Sequence, residues 1–181
     1  MADMGIKRFI QNRKLAFAKP FKPTRRWSPG ENSLQLAGLI LCVDDTHEIE
    51  LLKKVRSYLT AKGVVCRTCI YRKNTKVLIP EELINDGTLL LNQESVNWYG
   101  QVRLGCASSF IDESYDLVIN LSKHFYFTTT HLASLSKATL KIGRYVWPQS
   151  PYSIVLGANQ NYDIEAFIDL LDRNLQIIKF E

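Results

Sequence analysis

Leu36-Ala-Gly-Leu-Ile-Leu-Cys-Val43 runs for eight residues without a charged or strongly polar member, and Asp44-Asp45 ends it. A strand with one wet face alternates apolar and polar residues. An unbroken apolar run of this length predicts a parallel strand covered on both faces. Thr46 can cap a helix just beyond it, in which Ile49, Leu52, Val55 and Leu59 recur at three- and four-residue spacing. Glu50 and Lys54 stand one turn apart on the opposite side, where they can pair. Gly63 supplies the stop, and Val64-Val-Cys-Arg-Thr-Cys-Ile-Tyr71 predicts a second strand. Strand, helix and strand within one short segment form a right-handed βαβ unit.

Further along, Val77-Leu78-Ile79 precedes Pro80, and Thr88–Leu91 after Asp86-Gly87 predicts a short strand. Phe110-Ile111 can pack across the gap before the clearest later strand, Asp116-Leu-Val-Ile-Asn-Leu121. A short helix around Thr129–Ser136 leads to a strand at Thr139–Ile142, then to an edge strand at Tyr152–Leu156 that Pro151 opens. From Asp163 a last helix carries the apolar stripe Ile164, Phe167, Ile168, Leu171, Leu175 and Ile178. The expected fold is a single-domain three-layer α/β sandwich over residues 34–181. Its five or six mostly parallel strands make a Rossmann-like or flavodoxin-like sheet with helices on both faces. Residues 1–33 form a basic leader helix and linker.

The chain has 181 residues, 46% of them hydrophobic, enough for one sizeable core. No apolar run approaches the roughly 20 residues of a membrane span, and no secretory h-region follows the first charges. A soluble, cytoplasmic protein is expected. The net charge of +5 is unevenly spread. Lys7, Arg8, Arg13, Lys14, Lys19, Lys22, Arg25 and Arg26 face only Asp3 among the first 26 residues, and the remainder is slightly acidic. Ile6, Phe9, Ile10 and Phe17 interleave with these cations in a possible amphipathic helix over 4–18. Charge with apolar anchoring suits an anionic partner surface, such as RNA, anionic lipid or an acidic protein. No helix-turn-helix or zinc module offers specific DNA reading.

Cys66-Arg-Thr-Cys69 has C-x-x-C spacing, but within a strand residues three apart point to opposite faces, so neither a redox pair nor zinc ligation is expected. At the carboxyl end of the first strand, Asp44, Asp45 and Thr46 stand where open α/β sheets contact ligands. Asn120, Ser122, His124 and Thr128 crowd the loop and helix start after the later strand, with Thr129, Thr130 and His131 following. Hydroxyls and free amides there can hold a phosphate, and Arg144 past Gly143 can add a bidentate contact. These residues include no nucleophile–base pair and no metal-ligand set, and no cofactor is implied. They favour a binding or structural module over an enzyme. The alternative is phosphoryl or glycosyl transfer on a nucleotide-like substrate, with Mg2+ held by Asp44 and Asp45.

Leu41-Cys-Val-Asp-Asp45, with its helix, glycine and strand, resembles the opening of a phosphoacceptor receiver domain. Asn120 ends the strand that would present the acceptor aspartate, and an amide forms no acyl phosphate, so the resemblance implies no phosphotransfer. Tyr115–Ser122 and Leu132–Arg144 are similar to the acceptor-side domain of heptose-transferring glycosyltransferases, which work with a second, sugar-nucleotide domain. A resemblance over nearly the whole chain is carried by the basic leader, Asn97-Trp-Tyr-Gly100, Tyr115-Asp-Leu-Val-Ile-Asn-Leu-Ser122, Leu135-Ser-Lys-Ala-Thr-Leu-Lys-Ile-Gly-Arg-Tyr145 and Ile164-Glu-Ala-Phe-Ile-Asp-Leu-Leu171. On these motifs the chain resembles a family of small uncharacterised proteins found mainly in Bacteroidetes-type bacteria. That resemblance implies an α/β fold and a bacterial cytoplasmic origin, with no activity attached.

Overall fold

Six parallel strands form one sheet in the order β3-β2-β1-β4-β5-β6. The structure is a computed structural model and describes residues 7, 8, 10, 11, 34–44, 46–84, 87–145, 150–157 and 163–177. The strands are β1 (Leu36–Val43), β2 (Val65–Arg72), β3 (Thr88–Leu91), β4 (Ser114–Asn120), β5 (Lys137–Gly143) and β6 (Ile154–Val155). Between and after them lie α1 (Thr46–Ala61), α2 (Leu104–Ile111), α3 (Phe127–Leu135) and α4 (Ile164–Ile177). This is the three-layer α/β sandwich with a parallel Rossmann-like sheet that the first βαβ unit implies.

β1 is the centre of the sheet, and every residue from Ala37 to Val43 is buried. Leu39, Leu41 and Val43 enter the layer under α1 and α4, where they meet Leu52, Val55, Phe167 and Leu171. Ile40 and Cys42 enter the opposite layer with Phe110 of α2 and Leu132 of α3. Gly38 lets that second layer close, since a Cβ there would stand 3.0 Å from the Phe110 ring and from Val118. Cys66 packs with the first layer and Cys69 lies in the second, as their spacing requires, and both thiols are free.

α1 ends in a Schellman turn: Gly63, at φ +81°, donates to Thr60, and Val64 donates to Leu59. Lys54 reaches Glu165 on α4 at 2.7 Å, so a bond across two helices stands where an in-helix pair with Glu50 is expected. Tyr58 and Lys62 both meet Asp172 of α4 at 2.5 Å. The β2–β3 connection has only a 3-10 turn at Glu81–Leu83, with Leu83 buried beside α1 and Glu82 bonded to Lys53. Among the described residues no helix is long and apolar enough to cross a membrane.

Candidate functional site

Strand order reverses between β1 and β4, the place where open α/β sheets usually leave a ligand crevice beyond the strand ends. Among the described residues that place is filled by the chain's own polar side chains. Leu121 donates to the Ile40 carbonyl at 2.8 Å, and the Cys42 amide donates to Ser122 Oγ at 3.0 Å. Ser122 Oγ in turn donates to Thr129 Oγ1 at 3.3 Å, and the Ser122 amide to Asn120 Oδ1 at 3.1 Å. Asn120 Nδ2 donates to the Tyr152 hydroxyl at 2.6 Å, and Tyr152 continues through Tyr145 to Thr130. Gly143 makes this closure possible, because any Cβ there would overlap the Tyr152 ring. Burial raises the Tyr152 hydroxyl well above the usual phenol range, so it stays a neutral donor. Arg144 lies against this closure, half-buried, donating to the Leu121 carbonyl at 3.1 Å and stacking 5.1 Å from the centre of Phe167. Its burial holds the guanidinium below its ordinary value.

Asp44 lies just to one side. Its amide donates to the Glu48 carboxylate at 2.7 Å, and its own carboxylate accepts the Tyr126 hydroxyl. Lys73 approaches the same carboxylate at 3.6 Å and rests 5.0 Å over the Tyr126 ring. Burial, and then the bond to Asp44, push the Tyr126 hydroxyl upward. Thr46 opens α1 exposed, and His124 is exposed in the loop before α3. Asp45 lies outside the described residues. The three threonines at the start of α3 are held locally: Thr129 and Thr130 return to the Tyr126 carbonyl, while Thr128 donates to the Gly100 carbonyl at 2.9 Å. His131 is buried and stacks on Phe127 at 5.4 Å. Among the described residues no three His, Cys, Asp or Glu side chains are grouped to hold a metal ion.

Beyond Tyr126 and Lys73 the carboxyl edge opens into a cavity of about 570 Å³. Three segments build its walls. Tyr71 and Lys73 come from the end of β2, Phe125 to Thr128 from the approach and first turn of α3, and Gln93 to Gly100 from the loop after β3. That loop is internally braced. Asn92 caps a 3-10 turn at Gln93–Ser95, Val96 and Val102 form an antiparallel bridge, and Asn97 Oδ1 accepts the Gln101 amide at 2.9 Å. Gly100 turns the chain at φ +91°, where a Cβ would press within 3.3 Å of the Thr128 hydroxyl. Tyr99 donates to Gln101 at 2.5 Å, lies 6.4 Å from Phe127, and packs T-shaped with Trp98 at 5.1 Å between ring centres. Trp98 itself remains 59% exposed.

From the leader, Lys7 and Gln11 also line the cavity, and Gln11 Nε2 donates to the Tyr99 carbonyl at 2.6 Å. Lys7, Arg8, Ile10 and Gln11 are helical, with Arg8 exposed. Arg13, Lys14, Lys19, Lys22, Arg25 and Arg26, and most of the expected 4–18 helix, lie outside the described residues. Among the described residues the cavity thus has six aromatic side chains, two lysines and three uncharged amide side chains, and no carboxylate lines it. Of the residues singled out from sequence, Thr128 lines it and Asp44 supports its wall through Tyr126 and Lys73. Asn120, Ser122 and Arg144 belong to the neighbouring closure. Asn97-Trp-Tyr-Gly100 was legible only as a motif; an aromatic pair held between a turn-forming Asn and a Gly is the signal that marks it as a wall.

Comparison with known proteins adds a family without a role. The model of a family of unknown function (DUF6913) matches residues 7–178. Neither a curated protein nor a solved structure matches the chain.

Proposed function

Since the chain belongs to this family of unknown function, its role has to be read from the site, and we propose that it is a binding module for an anionic ligand bearing a flat ring, of nucleotide size. The observation that carries the proposal is the cavity: about 570 Å³, walled by aromatic rings, with Lys7 and Lys73 and, among the described residues, without a lining carboxylate. Aromatic faces reward a planar ring through stacking and burial. Two ammonium groups reward a phosphate as point charges rather than a shaped cradle, that of Lys73 being shared with Asp44. Gln93 and Asn97 add donors and acceptors for a ring's polar edge. The Asp44 carboxylate, held by Tyr126 and Lys73, acts here as a brace for the cavity wall, and this argues against magnesium-dependent transfer. The proposal places the module in the reducing cytoplasm, where its four cysteines stay as thiols.

Calorimetric titration of the full chain with uridine monophosphate, uridine and ribose 5-phosphate tests this. The nucleotide is expected to bind at least about tenfold more tightly than either half, because ring and anion are held by different groups. Lys73→Met is expected to weaken nucleotide binding about tenfold, the effect of one charged contact. Absence of nucleotide binding at millimolar concentration overturns the proposal.

A further inference from the structure

We infer that the ligand is single-stranded nucleic acid, unpaired bases joined by phosphates, rather than a free nucleotide. This rests on the binding reading above and names its ligand. Three observations extend the site beyond one nucleotide. Trp98 lines the cavity with 59% of its surface exposed, its ring near-perpendicular to that of Tyr99. A large ring left this exposed on a braced loop offers a stacking surface to whatever lies outside the cavity. One base inside and a second on Trp98 is the arrangement that single-strand binders use, since every base has a stackable face. Next, the cation that reaches the cavity from the leader, Lys7, belongs to a stretch of 26 residues carrying eight Lys and Arg against one Asp. That density exceeds what a monophosphate can neutralise and matches a chain of phosphates. Finally, the polar side chains described on the wall besides the two lysines are uncharged, among them the amides of Gln93, Asn97 and Gln11, which suit base edges and do not repel a polyanion. A duplex hides its base faces and gains nothing from the cavity or from Trp98.

The experiment uses the full chain. Affinities are measured for uridine monophosphate, for uridine oligomers of two, four and eight nucleotides, for an eight-nucleotide thymidine strand, for an eight-base-pair duplex, and for phosphatidylglycerol vesicles. Each is measured at about 50 and 200 mM salt. Affinity is expected to rise at least about tenfold from monophosphate to tetramer, and oligomer binding to fall steeply with salt as counterions are released. The duplex and the vesicles are expected to bind at least about tenfold more weakly than the octamer. Trp98→Ala should cost the oligomers about tenfold and collapse their advantage over the monophosphate, with Trp98→Phe restoring most of it, as expected for stacking. The RNA and DNA octamers together separate the two sources: a preference for uridine strands reports contacts to the 2′-hydroxyl, and equal binding reports stacking and phosphate alone. Monophosphate binding with no gain on lengthening overturns this inference and leaves the binding module standing. Failure of monophosphate and oligomers alike removes both. Oligomer binding that ignores Trp98→Ala, or that vesicles match, also overturns it.

Discussion

Lys141 lies in β5 with 7% of its surface exposed, and its ammonium donates to the Ser134 carbonyl at 3.3 Å, in the last turn of α3. Burial lowers its pKa from the ordinary lysine range to about 8. Between about pH 8 and 10.5 the unfolded chain therefore holds a proton that the folded chain has released, so folding stability gains with pH across that window. Below it the full cost of burying the charge is present. Lys141→Met is expected to be more stable than the parent at pH 7, by roughly 1–3 kcal/mol, with the advantage shrinking toward pH 10. Urea denaturation of both proteins at the two pH values measures this, and an advantage that does not change with pH refutes it. Nothing in the sequence marked Lys141. A lysine in an apolar strand is as easily an edge residue, and only the packing of α3 over β5 buries it. Asn120 and Ser122 show the same limit: their place at a strand end was legible, but that Asn120 faces a ring 32 residues away and Ser122 faces Cys42 and Thr129 follows only from the packing.

Elements were legible in proportion to their patterning. β1, α1, β2 and α4 have long apolar runs or stripes and stand close to where sequence puts them. α2 does not, because Leu104-Gly-Cys-Ala-Ser-Ser-Phe-Ile111 has only three buried members, Ala107, Phe110 and Ile111, and little intrinsic helicity. Its N-cap, Arg103, makes no side-chain capping bond. Gly105 has open space where a Cβ would sit. α2 is therefore held by tertiary contact, chiefly Phe110 against Gly38 and Tyr115. Gly105→Ala and Arg103→Asp are each expected to raise stability by about 0.5–1 kcal/mol, through backbone entropy and capping respectively. Equilibrium denaturation of each variant checks this, and a loss of stability in both would mean that the helix start is set by contacts other than propensity.

At the level of the molecule, the division between leader and sheet is open to test. None of the described residues before Leu34 belongs to either hydrophobic cluster, and the described leader meets the domain at the rim of the cavity. A chain beginning at residue 34 loses the Gln11 bond to Tyr99 and is expected to unfold cooperatively, within about 1 kcal/mol of the full chain. Its affinity for nucleic acid should fall about tenfold or more at low salt, with a shallower salt dependence. Denaturation and titration of both chains test the two halves of this expectation. Loss of cooperative unfolding would assign the leader to the core, and unchanged binding would remove it from the site.

Local sequence determined the layered sheet. A doubly covered strand, an amphipathic helix and a glycine stop each act over a few residues, and together they leave only a parallel βαβ start. Local sequence also determined the imbalance of charge, which needs no fold to exist. The tertiary structure decided which end of the sheet is filled and where a cavity opens. Closing the switch point required Asn120, Gly143, Tyr145 and Tyr152 to meet from separate segments. Opening a cavity beside it required the ends of β2 and β3 and the start of α3 to stand apart while Thr128 and Gln11 pinned the 97–100 turn between them. Such contacts join residues up to 88 positions apart in the chain. No periodicity or motif encodes distances of that kind, because they follow from how the layers pack and not from what any one segment prefers.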